Sequence, residues 1–175
     1  MGSNHEVTKE LLECAIKAAK DCYKRTIRIR KEKTIDEFTN KVYETKSKEI
    51  LSETQCCTNE VKDAVMSQLM NLLIGAAGVL PDNDIISSAI DFLEVPHGKG
   101  ADYISLLIDL AENGWDEGYY RLGRVFAEGA PKNGIYRNYT LARLYLRLSL
   151  KHLSEDRCEE LDVYPQFLLE HLDYN

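Results

Sequence analysis

Apolar side chains recur at steps of three and four residues along most of this 175-residue chain. That spacing places them on one face of an α-helix, because a helix completes a turn in about 3.6 residues. The first stripe predicts a helix that runs to about Lys31, and its members are Leu12, Ile16, Ala19, Tyr23 and Ile27. A capping pattern from Thr34 to Glu37 predicts a second helix that ends near Leu51. Residues 3–58 are therefore expected to form an N-terminal helical hairpin.

The middle of the chain continues the helical pattern. Residues 59–110 are predicted to be a helical segment, with a degenerate repeat as the alternative to unrelated helices. From Ala101 onward the helices become shorter and are separated by glycine-containing breaks, as at Asn113-Gly114 and Asn133-Gly134. Short paired helices joined by tight turns are typical of a solenoid unit.

One stretch carries a family resemblance. It resembles a single Sel1-like repeat, a relative of the tetratricopeptide (TPR) repeat, through Ala111, Gly114, Gly118, Tyr120, Leu122-Gly123, Phe126, Gly129, Tyr139, Ala142 and Tyr145. The resemblance implies a Sel1-like, TPR-like α-solenoid in the C-terminal half, with the repeat at residues 111–153. Residues 154–175 then suit a capping helix. The predicted fold is one all-α domain over residues 1–175, an antiparallel helical array.

The resemblance also implies a kind of function. Sel1-like proteins usually hold another protein in the groove between stacked helices and act as scaffolds, adaptors or inhibitors. Within the repeat, aromatic and arginine side chains are concentrated, and these types are enriched at binding hot spots. The candidate partner-binding residues are Trp115, Tyr119, Arg124, Tyr136, Arg143 and Arg147. The competing interpretation of the aromatic members is that they belong to the core.

We therefore expect a protein-interaction module that inhibits or localises a partner protein, and more specifically a bacterial immunity protein against a secreted toxin or effector. An intracellular scaffold is the alternative. A cysteine-dependent hydrolase is less favoured, because Cys56 or Cys57 with His97 is the only suggestive nucleophile and base, and no flanking motif accompanies them. The chain is thus predicted not to be an enzyme.

Charge and composition restrict the partners. A net charge of −7 argues against general nucleic-acid binding, which requires a basic surface. The basic stretch from Lys24 to Lys33 is interpreted as a solvated helix end. The longest apolar run, around Leu69 to Leu80, is too short to span a bilayer. We expect no membrane span, cofactor or metal, while the oligomeric state is left open.

The five cysteines bear on the compartment. Cys14 and Cys22 are too far apart along one helix to pair with each other, but either could meet Cys56 or Cys57 if the N-terminal segment folds back. Such a disulfide would indicate a periplasmic or secreted protein, whereas free thiols would fit the cytoplasm. Localisation therefore depends on whether the cysteines pair.

Overall fold

The computed structural model describes residues 8–35, 40, 42–80, 83–94, 100–161 and 163–173. This part of the chain contains eight α-helices and a two-stranded antiparallel sheet. In chain order the elements are α1 (Lys9–Asp21), β1 (Tyr23–Ile35), β2 (Val42–Gln55), α2 (Asn59–Ala76), α3 (Asn83–Glu94), α4 (Gly100–Glu112), α5 (Gly118–Glu128), a 3-10 turn (Pro131–Asn133), α6 (Tyr139–His152), α7 (Glu155–Leu161) and α8 (Pro165–Asp173). The chain is mostly helical.

The prediction of an all-α fold is wrong at residues 23–55. The expected helical hairpin over residues 3–58 is instead the single helix α1 followed by a long β-hairpin. The physical reason lies in β1, where Ile27 and Ile29 alternate with Arg28 and Arg30. This two-residue period and the β-branched side chains favour a strand over a helix.

The hairpin pairs regularly from Tyr23 opposite Gln55 to Ile35 opposite Val42. One irregularity lies between Thr26 and Ile27, which pair with Ser52 and Ile50, so that Leu51 is the extra residue of a bulge on β2. The basic stretch from Lys24 to Lys33 is consequently part of a strand, and the interpretation of this stretch as a helix end is wrong.

Helix starts follow ordinary capping chemistry. The Thr8 hydroxyl accepts a hydrogen bond from the Leu11 amide, and the Thr58 hydroxyl accepts one from the Val61 amide. The sequence predicts Asn59 as the cap of α2 and Asn138 as the cap of α6, because Asn is a favoured residue at that position. Thr58 caps α2 instead, whereas Asn138 does cap α6, since its side-chain oxygen accepts from the Leu141 amide at 3.1 Å. The sequence also predicts a capping box from Ser3 to Glu6, and these residues lie outside the described part of the chain.

Two apolar clusters hold the helices together. The larger joins α1 to α5 and includes the fully buried Leu12, Leu69, Ile90 and Leu107. The smaller joins α5, α6, α7 and α8 around buried residues that include Leu146 and Leu153. Helix α8 packs against α6 and α5, and the segment expected to be one capping helix forms the two helices α7 and α8.

Helices α5 and α6 form an antiparallel pair. The Asn138 amide, just before α6, donates to the carbonyl of Phe126 near the end of α5, while Tyr119 near the start of α5 meets His152 at the end of α6. The two helices approach closely at Gly123, where an added Cβ would lie 2.6 Å from Leu146 Cγ. Because glycine has no side chain, Gly118 and Gly123 are both predicted to lie between the paired helices. Gly118 instead faces Ala111 of α4, so only Gly123 lies there. A solenoid of several repeats is not established by this single pair.

Candidate partner-binding surface

Helix α6 presents a basic and apolar surface to solvent. Ala142, Leu146 and Ser149 point into the core, which leaves the opposite side of the helix outside. That side, here called the α6 outer face, consists of Arg143, Leu144, Arg147, Leu150 and Lys151. Leu144 is 51% exposed and Leu150 is 42% exposed, so apolar area stands beside the cations.

The structure brings together two of the predicted binding residues, Arg143 and Arg147. They lie four residues apart on α6 and are therefore neighbours on its surface. Arg143 is half-buried and Arg147 is exposed, and neither forms an ion pair with any described residue. Their guanidinium groups are available for a carboxylate of another molecule.

The other predicted binding residues have mixed environments. Tyr136 is 75% exposed and precedes α6. Arg124 is half-buried on α5 and lies 3.7 Å from Glu128. Tyr119 is half-buried, stacks on Tyr145 at a ring separation of 6.4 Å and contacts His152. Tyr119 thus belongs mainly to the aromatic packing between α5 and α6.

Trp115 is fully buried, so in this structure it is part of the core and offers no surface to a partner. It precedes α5, and the Arg121 guanidinium lies 5.9 Å from its ring. Arg121 also binds Asp91 on α3 at 2.6 Å and forms a close ion pair with Glu117. Ser87 of α3 donates a hydrogen bond to Glu117 at 3.0 Å.

This buried polar network joins α3 to α5 and is not predicted from the sequence. Glu117 and Arg121 are both buried, so their charges satisfy each other away from water. The only sequence signal is their i, i+4 spacing before and within α5, which is common on exposed helices as well. Their role is to fix the position of α5, and through α5 the position of α6.

A second surface, also not expected from the sequence, is the β-hairpin. Its 33 residues from 23 to 55 contain nine Lys or Arg and six Asp or Glu, which gives a net charge of +3. The remainder of the chain contains 13 Lys or Arg and 23 Asp or Glu, which gives a net charge of −10. A basic ribbon is therefore joined to an acidic helical body.

Arg25 holds the base of this ribbon against the body. Its Nε donates to Glu53 at 2.7 Å, and its Nη1 donates to the carbonyl oxygen of Phe92 at 3.1 Å. The same guanidinium lies over the rings of Phe92 and Tyr23. Beside this contact is a cavity of about 290 Å³, bordered by Lys20, Arg25, Ile27, Asp84, Ser87, Ser88, Asp91 and Phe92.

The cysteines form one bond that confirms a pairing considered from the sequence. Cys22 and Cys57 are joined by a disulfide with a Cα separation of 5.1 Å, and Cys14 and Cys56 are exposed free thiols. The pairing is compatible with a periplasmic or secreted protein. Cys57 therefore has no free thiol that could act as a nucleophile. His97, the suggested base, lies outside the described residues.

Among the described residues, no group of three or more His, Cys, Asp or Glu side chains is arranged to hold a metal ion. No described helix combines the length and hydropathy needed to cross a bilayer.

Comparison with known proteins adds no family to this description. No protein-family model, curated protein or solved structure matches the chain significantly. The Sel1-like repeat over residues 111–153 therefore stays a prediction.

Proposed function

We propose that this chain is a protein-binding module that uses the α6 outer face to bind an acidic surface of a partner protein. The observation that carries the proposal is the exposure of Arg143 and Arg147 beside Leu144 and Leu150 on one helix. Arginines flanked by aliphatic side chains combine charge recognition with apolar contact, as binding hot spots do.

The body around α6 supports this assignment. Residues outside the hairpin have a net charge of −10, so a run of three cations on one helix face stands out from its surroundings. Ala142, Leu146 and Ser149 fix the inner side of the helix in the core. A fixed helix binds with less loss of conformational entropy than a mobile loop does.

Inhibition of a secreted toxin or effector is the finer form of the proposal. The Cys22–Cys57 disulfide supports it, because structural disulfides persist in oxidising compartments, where a secreted toxin can be met. An intracellular scaffold would use the same surface with all thiols reduced. We propose binding in preference to catalysis, since Cys57 is bonded to Cys22 and no flanking motif accompanies Cys56, the candidate nucleophile that stays free.

The test is an affinity capture with a matched pair of variants. The tagged protein is incubated with cytoplasmic and periplasmic extracts of its native host, and retained proteins are identified by mass spectrometry. Arg143→Glu/Arg147→Glu should remove the specific partner. Lys9→Glu/Lys17→Glu makes the same charge change at exposed positions of α1 and should retain it.

The outcomes separate the alternatives. A partner that the α6 variant loses, and whose enzymatic activity falls on addition of the wild-type protein, would support an inhibitor. A partner without such an effect would support a scaffold. A partner retained equally by both variants would contradict the assignment to α6, provided that circular dichroism shows all proteins to be folded.

A further inference from the structure

One face of the β-hairpin is rich in apolar and basic residues, and Glu44 and Glu53 are its acidic members. Side chains alternate between the two faces of a strand, so the odd-numbered residues of β1 share one face. At the base, Tyr23 and Arg25 of this face pack on the helical body at Phe92. Farther out the same face continues, and we call it the inner face: it holds Ile27, Ile29, Lys31, Lys33 and Ile35 of β1. On β2 the register places Glu44 opposite Lys33 and Val42 opposite Ile35.

The aliphatic residues of the inner face are accessible. Ile29 and Val42 are each 57% exposed and Ile35 is 61% exposed, and residues 28–33 are exposed without interruption. A two-stranded sheet is at best marginally stable in water unless another element packs against it. The outer part of this hairpin thus presents the kind of apolar surface that a third element normally covers.

The charge of the inner face indicates what would cover it. Lys31 and Lys33 are exposed, and the strand register places Lys46 opposite Lys31, Lys48 opposite Ile29 and Glu44 opposite Lys33. The register positions of the inner face therefore hold four lysines and one glutamate. A helix with carboxylates facing Lys31 would be attracted to this face, while a second copy of the same basic hairpin would be repelled by it.

The dimensions of the inner face fit a helix. Two strands lie about 4.8 Å apart, so together they form a surface about as wide as one helix, whose diameter is about 10 Å. The eight steps from Ile27 to Ile35 cover about 27 Å at ~3.4 Å each, the length of about 18 helical residues.

We propose that the inner face of the hairpin binds an acidic amphipathic helix of a partner protein. Apolar residues of that helix contact Ile27, Ile29 and Ile35, and its carboxylates lie over Lys31. The longer described helices of a second copy do not supply it, because their apolar sides are buried in the core and the outer face of α6 is basic. In α4, for example, Leu106, Leu107 and Leu110 are buried in the core. The proposal does not depend on the α6 outer face.

The test uses a defined probe. A fluorescein-labelled 18-residue peptide of Leu and Glu, with Leu at helical spacing, is titrated with the disulfide-bonded protein, and fluorescence anisotropy is followed. A peptide of the same composition in scrambled order is the control for charge alone. Saturable binding of the first peptide and weaker binding of the scrambled one are expected, because only the first can present an apolar face.

Two adjacent residues of β1 provide matched variants. Lys31→Glu changes the inner face and Arg30→Glu changes the opposite face, with the same change in net charge. We expect Lys31→Glu to weaken peptide binding about tenfold or more and Arg30→Glu less than about twofold. Ile29→Thr, which keeps a β-branched residue, should also weaken binding.

Unfolding cannot account for the expected loss. Lys31 is exposed, so the melting temperature of Lys31→Glu should stay close to that of the wild type. Equal binding of the scrambled peptide, equal effects of Lys31→Glu and Arg30→Glu, or absence of binding would overturn the proposal. Tighter binding to a 20-base-pair DNA duplex or to phosphatidylserine vesicles would overturn it in favour of that ligand.

Discussion

The guanidinium of Arg25 lies 4.2 Å from the centroid of the Phe92 ring and also donates a hydrogen bond to the carbonyl oxygen of Phe92. Phe92 belongs to α3 and Arg25 to β1, so these two residues connect the basic hairpin to the acidic body. The contact combines stacking, a hydrogen bond and the ion pair with Glu53 on β2. One side chain therefore sets how the hairpin leaves the helical core.

Arg25→Ala should lower the free energy of unfolding by about 2 kcal/mol, because it removes a buried stacking contact and leaves the Phe92 carbonyl without this donor. Arg25→Lys should recover only part of the loss, since an ammonium group cannot stack and donate in two directions as a guanidinium does. The measurement is urea unfolding followed by circular dichroism. Arg28→Ala, at an exposed position of the same strand, is the control and should change stability by less than about 0.5 kcal/mol.

The disulfide closes a loop that contains the entire hairpin. Cys22 and Cys57 are 35 residues apart, and the chain-entropy treatment of such a loop gives a stabilisation of about 4 kcal/mol. Cys22→Ser/Cys57→Ser should therefore lower the urea midpoint clearly, and reduction of the wild type should have the same effect. Cys14→Ser/Cys56→Ser should not, because both thiols are exposed and free. A wild type insensitive to reduction would contradict this assignment.

The hairpin shows where prediction from the sequence failed and why. Tyr23 and Ile27 continue the three- and four-residue steps of α1, so the helical spacing extends past Asp21. The alternation of Ile27 and Ile29 with arginines starts within the same window and indicates a strand. The two periods overlap at these residues, and the β-branched composition is the signal that separates them.

The helical half was more predictable, since its signals are local. The Asn138 cap and the small residue Gly123 between α5 and α6 were both identified, because capping and close helix approach each depend on one residue type. For the candidate surface, Arg143 and Arg147 were placed correctly on one helix face. The burial of Trp115 could not be derived, because it depends on contacts with elements distant in sequence.

Gly123 should be intolerant of a side chain. An added Cβ would lie 2.6 Å from Leu146 Cγ and 2.7 Å from its Cδ2, so Gly123→Ala forces α5 and α6 apart or displaces Leu146. We expect a loss of about 1–3 kcal/mol in the free energy of unfolding, the usual cost of overpacking. In the background of Leu146→Ala the same substitution should cost much less, and denaturant unfolding of all four proteins measures this coupling. Additive effects would show that Gly123 matters for another reason.

Thiol reactivity should distinguish Cys158 from the other free cysteines. Cys158 is buried, and its burial together with the charges of Asp116 and Glu155 raises the pKa of its thiol. Because the thiolate is the reactive form, alkylation of Cys158 in the folded protein should begin at higher pH than that of an unperturbed thiol. The same shift makes stability depend on pH. The unfolded chain releases the Cys158 proton more readily than the folded protein does, so the contribution of the raised pKa to the free energy of unfolding is present below the ordinary cysteine pKa and declines as pH rises above it.

Native protein treated with iodoacetamide at pH 8 and mapped by mass spectrometry should show rapid labelling of Cys14 and Cys56, slow labelling of Cys158, and no labelling of Cys22 or Cys57. Rapid labelling of Cys158 would mean that α7 opens readily, and labelling of Cys22 would mean that the hairpin base is not crosslinked.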